Sequence, residues 1–166
     1  MKVVRLDEIA KARIGEVLWT PIRSTLGIRA FGINAYTAEE AGDALFAEHD
    51  ETESGAGHQR HEELYLVLSG RATFTVGGAE IDAPAGTLVF LDDPAERRAA
   101  RAAAAGTTVL AIGGPAGEAY EVAPWEYWLR AKLARERGRE EEARAILAEG
   151  IERYPDEPEL RRLRDG

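Results

Sequence analysis

The sequence predicts a mainly β domain, a small antiparallel barrel, followed by an α-helical hairpin. Three observations carry that expectation. Apolar and polar residues alternate on both sides of the pair Gly77-Gly78, a two-residue hairpin signal. Pro84-Ala-Gly then turns the chain into another apolar stretch, Thr87 to Leu91, continuing a meander of short strands. At Pro124 the apolar spacing changes from two to the helical period.

Taken in order, residues 1–24 read as an N-terminal cover for the barrel, with a short helix near Asp7 to Ile14, and the barrel occupies residues 25–115. Ile28 to Tyr36 is strand-like, and Thr37-Ala-Glu-Glu has the form of a capping box that supports one helical turn before Gly42. Ala44 to Asp50 is a further strand. Residues 51–60 hold two glycines and no large apolar side chain, which predicts an exposed loop. Leu64 to Leu68 is uninterruptedly apolar, Ala72 to Val76 alternates, and Ala79 to Ala83 follows the glycine pair. Phe74, Val76, Leu88 and Phe90 are assigned to the core. Thr107 to Ile112 is the last strand, and the glycine cluster at 113–117 reads as a linker rather than a phosphate loop.

In residues 124–166 the set Trp125, Trp128, Leu129, Leu133 and, after Gly138, the set Ala143, Ile146, Leu147, Gly150, Ile151, Tyr154 predict two antiparallel helices. This segment resembles a single tetratricopeptide repeat. Gly138 stands at the turn, Ala131 and Ala143 at close contacts and Pro155 at the end, with Pro158-Glu-Leu starting a truncated further helix. A lone repeat cannot bury its apolar face, so these helices, with Trp125 and Trp128, are expected to pack on the barrel or on a second subunit.

Composition narrows the class of function. With 166 residues the chain builds one core and a small appendage. It has no cysteine, so any transition metal must be held by His, Asp, Glu or water. The N-terminus has no uninterrupted apolar run, which argues against a signal peptide or membrane span and leaves a soluble, cytoplasmic protein as the expectation. A net charge of -9 argues against nucleic acid as a partner. Nine carboxylates and a single base, Arg60, lie between Glu39 and Glu63, which reads as a solvated acidic loop or as a cation-attracting approach.

Glu63, at the end of that acidic stretch, is followed after six residues by Gly70, and a second block runs Gly86-x5-Asp92-x-Pro94-x2-Arg97. This spacing resembles the frame of the two motifs of the cupin superfamily. The resemblance implies a double-stranded β-helix, or jelly-roll, barrel whose first motif supplies two histidines and a glutamate to a metal and whose second supplies one histidine. It also implies that residues 97–105, although rich in the helix formers Ala and Arg, run extended as a barrel strand over Arg98 to Ala102. In that frame Glu63 stands at the metal-binding glutamate. His58 fits one histidine position, with Ala56 at the other; alternatively Gly42-x5-Glu48-x-Asp50 puts carboxylates at both, with His49 between them. Arg97 replaces the last histidine, Asp92 a proline and Pro94 a glycine.

His49, His58 and His61 are the only histidines. His61 and Glu63, two apart on one strand, share a face, and Tyr65 continues it. A set drawn from His49, His58, His61 and Glu63 could hold a divalent transition metal, Fe, Mn, Ni, Cu or Zn. Arg97 cannot coordinate and competes with a cation, but it could grip a carboxylate or phosphate at two points. Arg98 and Arg101 read as solvent-exposed. Three expectations follow. The first is a cupin binding a small polar or anionic molecule through Arg97, Glu63, His61 and Tyr65 without the standard metal chemistry. The second is a metal-dependent cupin enzyme, dioxygenase- or isomerase-like. The third is a protein-interaction module working through the helical hairpin, with a homodimer compatible with each.

Overall fold

The computed structural model describes residues 1–52 and 60–165. Their contacts divide the chain into two units, one ending at Tyr120 and the other beginning at Glu121.

The first unit contains ten strands among the described residues: β1 (Ala12–Ile14), β2 (Val17–Thr20), β3 (Gly32–Ala38), β4 (Ala44–His49), β5 (His61–Ser69), β6 (Arg71–Val76), β7 (Ala79–Pro84), β8 (Leu88–Leu91), β9 (Arg98–Ala102) and β10 (Thr108–Pro115). They pair into a six-stranded sheet, order β1-β2-β3-β10-β5-β8, and a four-stranded sheet, order β4-β9-β6-β7. All pairs are antiparallel. The core lies between the sheets, where Tyr65, Val67, Val89, Leu91 and Val109 meet Leu45, Phe74, Ala83, Ala100 and Ala102.

Local chemistry accounts for much of this. Gly77 and Gly78 both have positive φ, 54° and 85°, as the tight turn between paired Val76 and Ala79 requires. Strand β9 forms over Arg98–Ala102 despite its helix-forming composition because β4 and β6 pair with it on both edges. A sheet-central segment satisfies its backbone groups twice over, and that outweighs a few tenths of a kcal/mol of propensity per residue.

Five expectations need correction. Residues 1–24 are more than a cover, since β1 and β2 extend the larger sheet and Trp19 is fully buried, so the barrel begins at Ala12 and not at residue 25. The helix expected near Asp7 to Ile14 is a single 3-10 turn, Leu6–Glu8, followed by β1, because pairing of Ile14 with Val17 across Gly15 captures the segment. Thr37 caps no helix; it continues β3, paired with Leu18 and Thr108. Gly113 to Pro115 are not a linker but the end of β10, paired with β5. Finally, β8 is in the opposite register to that expected. Val89 and Leu91 point into the core, while Leu88 and Phe90 face outward. Strict alternation within a strand means that one residue of offset moves every side chain to the other face.

A short helix, α1 (Ile22–Leu26), ends at Gly27 in the left-handed conformation. With Ile9 and Leu6 its side chains Ile22 and Leu26 cover Ile33 and Ala35 of β3 and Leu110 of β10 on the outside of the larger sheet.

The second unit holds α2 (Pro124–Glu136), α3 (Glu140–Arg153) and α4 (Pro158–Asp165). Pro124 opens α2 at a position where no backbone donor is lost, and Gly138, at φ 70°, makes the turn to α3. Tyr127, Ala131, Ala134, Ala143, Ile146, Leu147 and Leu160 form its own core, with Trp128 partly buried against them. Trp125 and Trp128 are half-buried rather than enclosed. Among the described residues no helix is long and apolar enough to cross a membrane.

Candidate functional site

The polar interior of the barrel is built from β4, β5, β9 and the segment following β4. Along β5 the residues His61, Glu63, Tyr65 and Val67 lie on one face, and Tyr65 and Val67 belong to the core, so the first two point inward at its end. Opposite Glu63 stands Gly113 of β10, where a Cβ would lie 3.3 Å from Glu63 Cγ; the glycine makes room for the glutamate.

On β4 the pairing with β9 is irregular: Phe46 pairs with Ala100, but the next partner pair is His49 with Arg98. Simple alternation from the inward Phe46, which stacks on Tyr65, would bring Glu48 and Asp50 inside. The bulge instead turns in His49 and Glu51, so Glu48 and Asp50 do not take the inward positions that one of the two registers gave them; the other register, through His58 and Ala56, lies outside the described residues. Glu48 and Asp50 bond Arg97 instead, at 3.0 and 3.5 Å.

Arg97 is therefore not the interior arginine. Its side chain is 49 % exposed. The interior position belongs to Arg98, which is 0 % exposed, with Nε 3.6 Å from Glu63 Oε2. The expectation that Arg98 is solvent-exposed fails for the same reason as that for β8: a one-residue offset at the start of the strand exchanges the faces of β9. Arg101 is exposed as expected and donates to Gly42 O.

The geometry is dense. His49 Nε2 lies 3.6 Å from Glu51 Oε1 and 4.0 Å from Glu63 Oε2. Its Nδ1 is 2.9 Å from Ala47 O, which fits an Nδ1–H donor and leaves the Nε2 lone pair toward the carboxyls. His61 Nδ1 is 3.6 Å from Glu51 Oε2, and its ring lies 5.6 Å from that of Tyr120. The Tyr65 hydroxyl donates to Glu63 Oε2. Burial, reinforced by the negative charge of Glu63, pushes the Glu51 carboxyl up to about 8. The same two causes hold the Tyr65 phenol well above its ordinary value. His58 lies outside the described residues.

Two features were not anticipated from sequence. Glu51 was placed in the exposed loop, yet it is buried, fixed by backbone hydrogen bonds to Pro94 and Arg60. Asn34 of β3, on the same rung as Tyr65 across β10, is buried, and its Oδ1 has no hydrogen bond among the described residues. A carboxylate in a glycine-rich stretch and an asparagine in a strand carry no local signal of either fate.

His49, Glu51 and Glu63 each offer one ligand atom, all within 4.8 Å of one another. An imidazole and two carboxylates are a donor set suited to Fe, Mn or Zn. Against this fit, Glu63 Oε2 already faces the Arg98 guanidinium and the Tyr65 hydroxyl. A permanent cation at that distance opposes a metal ion on the same oxygen.

Neither a protein-family model nor a curated protein matches the sequence. Solved structures do resemble the chain. A predicted oxalate decarboxylase from Thermotoga maritima is 22 % identical, with TM-score 0.54, over 68 % of this chain and 97 % of that one. A cupin-superfamily sugar phosphate isomerase from Silicibacter pomeroyi is 14 % identical, with TM-score 0.54, over 68 % and 74 %. KdgF from Halomonas sp. is 14 % identical, with TM-score 0.51, over 66 % and 88 %. The first unit has the cupin fold, a two-sheet β-barrel. At these identities the likeness extends to the fold alone.

Proposed function

We propose that this cupin barrel binds a small polar or anionic molecule, gripped by Arg98 with Glu63, His61 and Tyr65 around it, without the standard cupin metal chemistry. The observation that carries the reading is Arg98 itself, whose Nε and Nη2 are buried and make no hydrogen bond among the described residues, Nε being held to Glu63 Oε2 only by the ion pair at 3.6 Å. Nη1 donates to Pro94 O at 3.4 Å. Nε and Nη2 form the side of the guanidinium that takes a carboxylate or phosphate at two points. Leaving such donors empty in a protein interior costs about 1–3 kcal/mol or more, so a ligand that fills them is strongly rewarded. Asn34 Oδ1 adds an empty acceptor, which favours a ligand carrying a hydroxyl or amine as well as an acid group, such as a hydroxy acid.

The second reading, a metal-dependent cupin enzyme of the decarboxylase or isomerase kind, is favoured by the convergence of His49, Glu51 and Glu63. There a divalent metal would supply Lewis-acid or redox chemistry. In the third reading, the helical unit, whose two long helices resemble a tetratricopeptide repeat, binds a protein partner.

Elemental analysis of protein purified without added metal, followed by a thermal-shift screen of small carboxylic and hydroxy acids, tests the first reading against the second. The expected result is substoichiometric metal and a raised Tm with a hydroxy acid, lost in Arg98→Met but kept in Arg97→Ala. Stoichiometric Fe, Mn, Ni, Cu or Zn, abolished by Glu63→Gln, would overturn it and make the protein a metalloenzyme.

A further inference from the structure

The outer face of the six-stranded sheet changes character along β3 and β10. Ile33, Ala35 and Leu110 lie under Leu6, Ile9 and Ile22. On the next rung of the same face Thr37 and Thr108 are paired partners, and Thr20 of β2 stands beside Ala35. Alternation puts all three threonines outside, away from the barrel interior. The N-terminal segment passes above them with Leu6 seated on the aliphatic cluster, and between segment and sheet lies a cavity of about 500 Å³. Its floor is Thr20, Thr37 and Thr108, and its rim is Arg5, Asp7 and Lys11. Small-molecule pockets commonly enclose about 300–1,000 Å³.

The hydrogen-bonding capacity of this cavity is unfilled. Thr20 is 1 % exposed, and its Oγ1 has no hydrogen bond among the described residues. Valine would pack a strand in nearly the same shape, so a buried hydroxyl without a partner only destabilises the strand that carries it. The hydroxyls of Thr37 and Thr108 are 3.0 Å apart; one proton bridges them and the other remains to donate. Lys11 Nζ reaches only the carbonyls of Asp7, at 3.5 Å, and Ile9, at 3.4 Å, and no carboxylate among the described residues lies within ion-pair distance of it. Arg5 is already committed, donating to both carboxylate oxygens of Asp7 at 3.1 and 2.9 Å. That pair cancels its own charge, so Lys11 leaves the rim net positive in a chain of net charge -9.

We propose that this cavity is a second binding site, for a small hydroxylated molecule with one anionic group, its anion on Lys11 and its hydroxyls on Thr20 and the Thr37–Thr108 pair. One unpaired ammonium selects one anionic group, a carboxylate or a phosphate ester, and repels a cationic ligand. Threonine hydroxyls donate and accept, as the hydroxyls of a polyol do, so the floor matches the body of such a ligand. The site lies on the opposite face of the sheet from the barrel interior and is independent of Arg98. Occupancy fills the orphaned Thr20 hydroxyl and ties the N-terminal segment to β2, β3 and β10.

Amide NMR of the full chain, titrated separately with glycerol 3-phosphate, glycerate and inorganic phosphate, is the test. The expected result is that glycerol 3-phosphate or glycerate shifts the amides of Lys11, Thr20, Thr37 and Thr108 with a Kd of about 1 mM or tighter. Inorganic phosphate should bind more weakly than the better of the two, and that better compound identifies the anionic group. Lys11→Met and Thr20→Val should each weaken binding about 10-fold. Thr20→Val should also unfold at a Tm equal to or above the parent's, because valine removes the orphaned hydroxyl while keeping the strand's packing. A lowered Tm would assign that hydroxyl to the fold and overturn the proposal. Shifts confined to Glu63 and Arg98 would place the acid in the barrel, supporting the interior reading and sinking this one. No shift with either compound up to about 10 mM, inorganic phosphate binding as tightly as both, or two variants that bind like the parent would overturn it as well.

Discussion

Replacing Glu51 by glutamine isolates the energetic cost of the buried carboxyl. Burial and the neighbouring Glu63 raise the carboxyl from its ordinary 4.5 to about 8. The folded protein therefore holds a proton there that the unfolded chain has released, across the whole window between those values. Stability must fall as pH rises through that window and level off above it. At about 1.4 kcal/mol per pH unit, the loss amounts to about 4 to 5 kcal/mol, a large share of the about 5–15 kcal/mol that stabilises a typical domain. Glutamine has the shape of the protonated acid and cannot ionise. Urea unfolding of both proteins in chelator, from pH 5 to 9, should therefore give similar midpoints near pH 5 and a growing advantage for Glu51→Gln up to pH 8. Titrating groups that do not interact with Glu51 cancel in the difference, so what is left belongs to Glu51 and its coupling to Glu63 and the neighbouring charges. Parallel curves, or a variant weaker than the parent at pH 8, would refute the burial and charge assigned to this residue.

The two neighbouring arginines should behave in opposite ways. Arg98→Met leaves Glu63 buried without its cation and should cost about 3–5 kcal/mol in denaturant unfolding, whereas Arg97→Ala removes a half-exposed pair and should cost at most about 1 kcal/mol. At Gly70, φ is 74° and an added Cβ would stand 2.4 Å from Thr107 Oγ1 and 2.8 Å from Thr107 Cα, so Gly70→Ala should lower Tm more than Gly78→Ala, whose Cβ meets nothing. If added Mn²⁺ or Zn²⁺ binds His49, Glu51 and Glu63, the proton on Glu51 must leave. Calorimetry should then show affinity rising with pH until about 8 and a pH dependence that vanishes in Glu51→Gln.

What sequence alone determined is what depends on neighbours along the chain. The Gly77-Gly78 hairpin, the run Leu64 to Leu68 and the helical periods after Pro124 each have a local physical cause, and the structure places strands and helices there. The extended run Arg98–Ala102 was legible only through the resemblance to the cupin frame, because its composition favours a helix and barrel closure overrides that preference. The facing of residues was not legible, because it hangs on offsets of one position that no local preference selects. A bulge in β4 brings His49 and Glu51 inside in place of Glu48 and Asp50. An offset in β9 buries Arg98 instead of Arg97, and one in β8 turns Leu88 and Phe90 outward. In a strand every residue faces one side or the other at nearly equal intrinsic cost. Only the assembled sheets, by burying one face and pairing its charges, decide which side becomes the site.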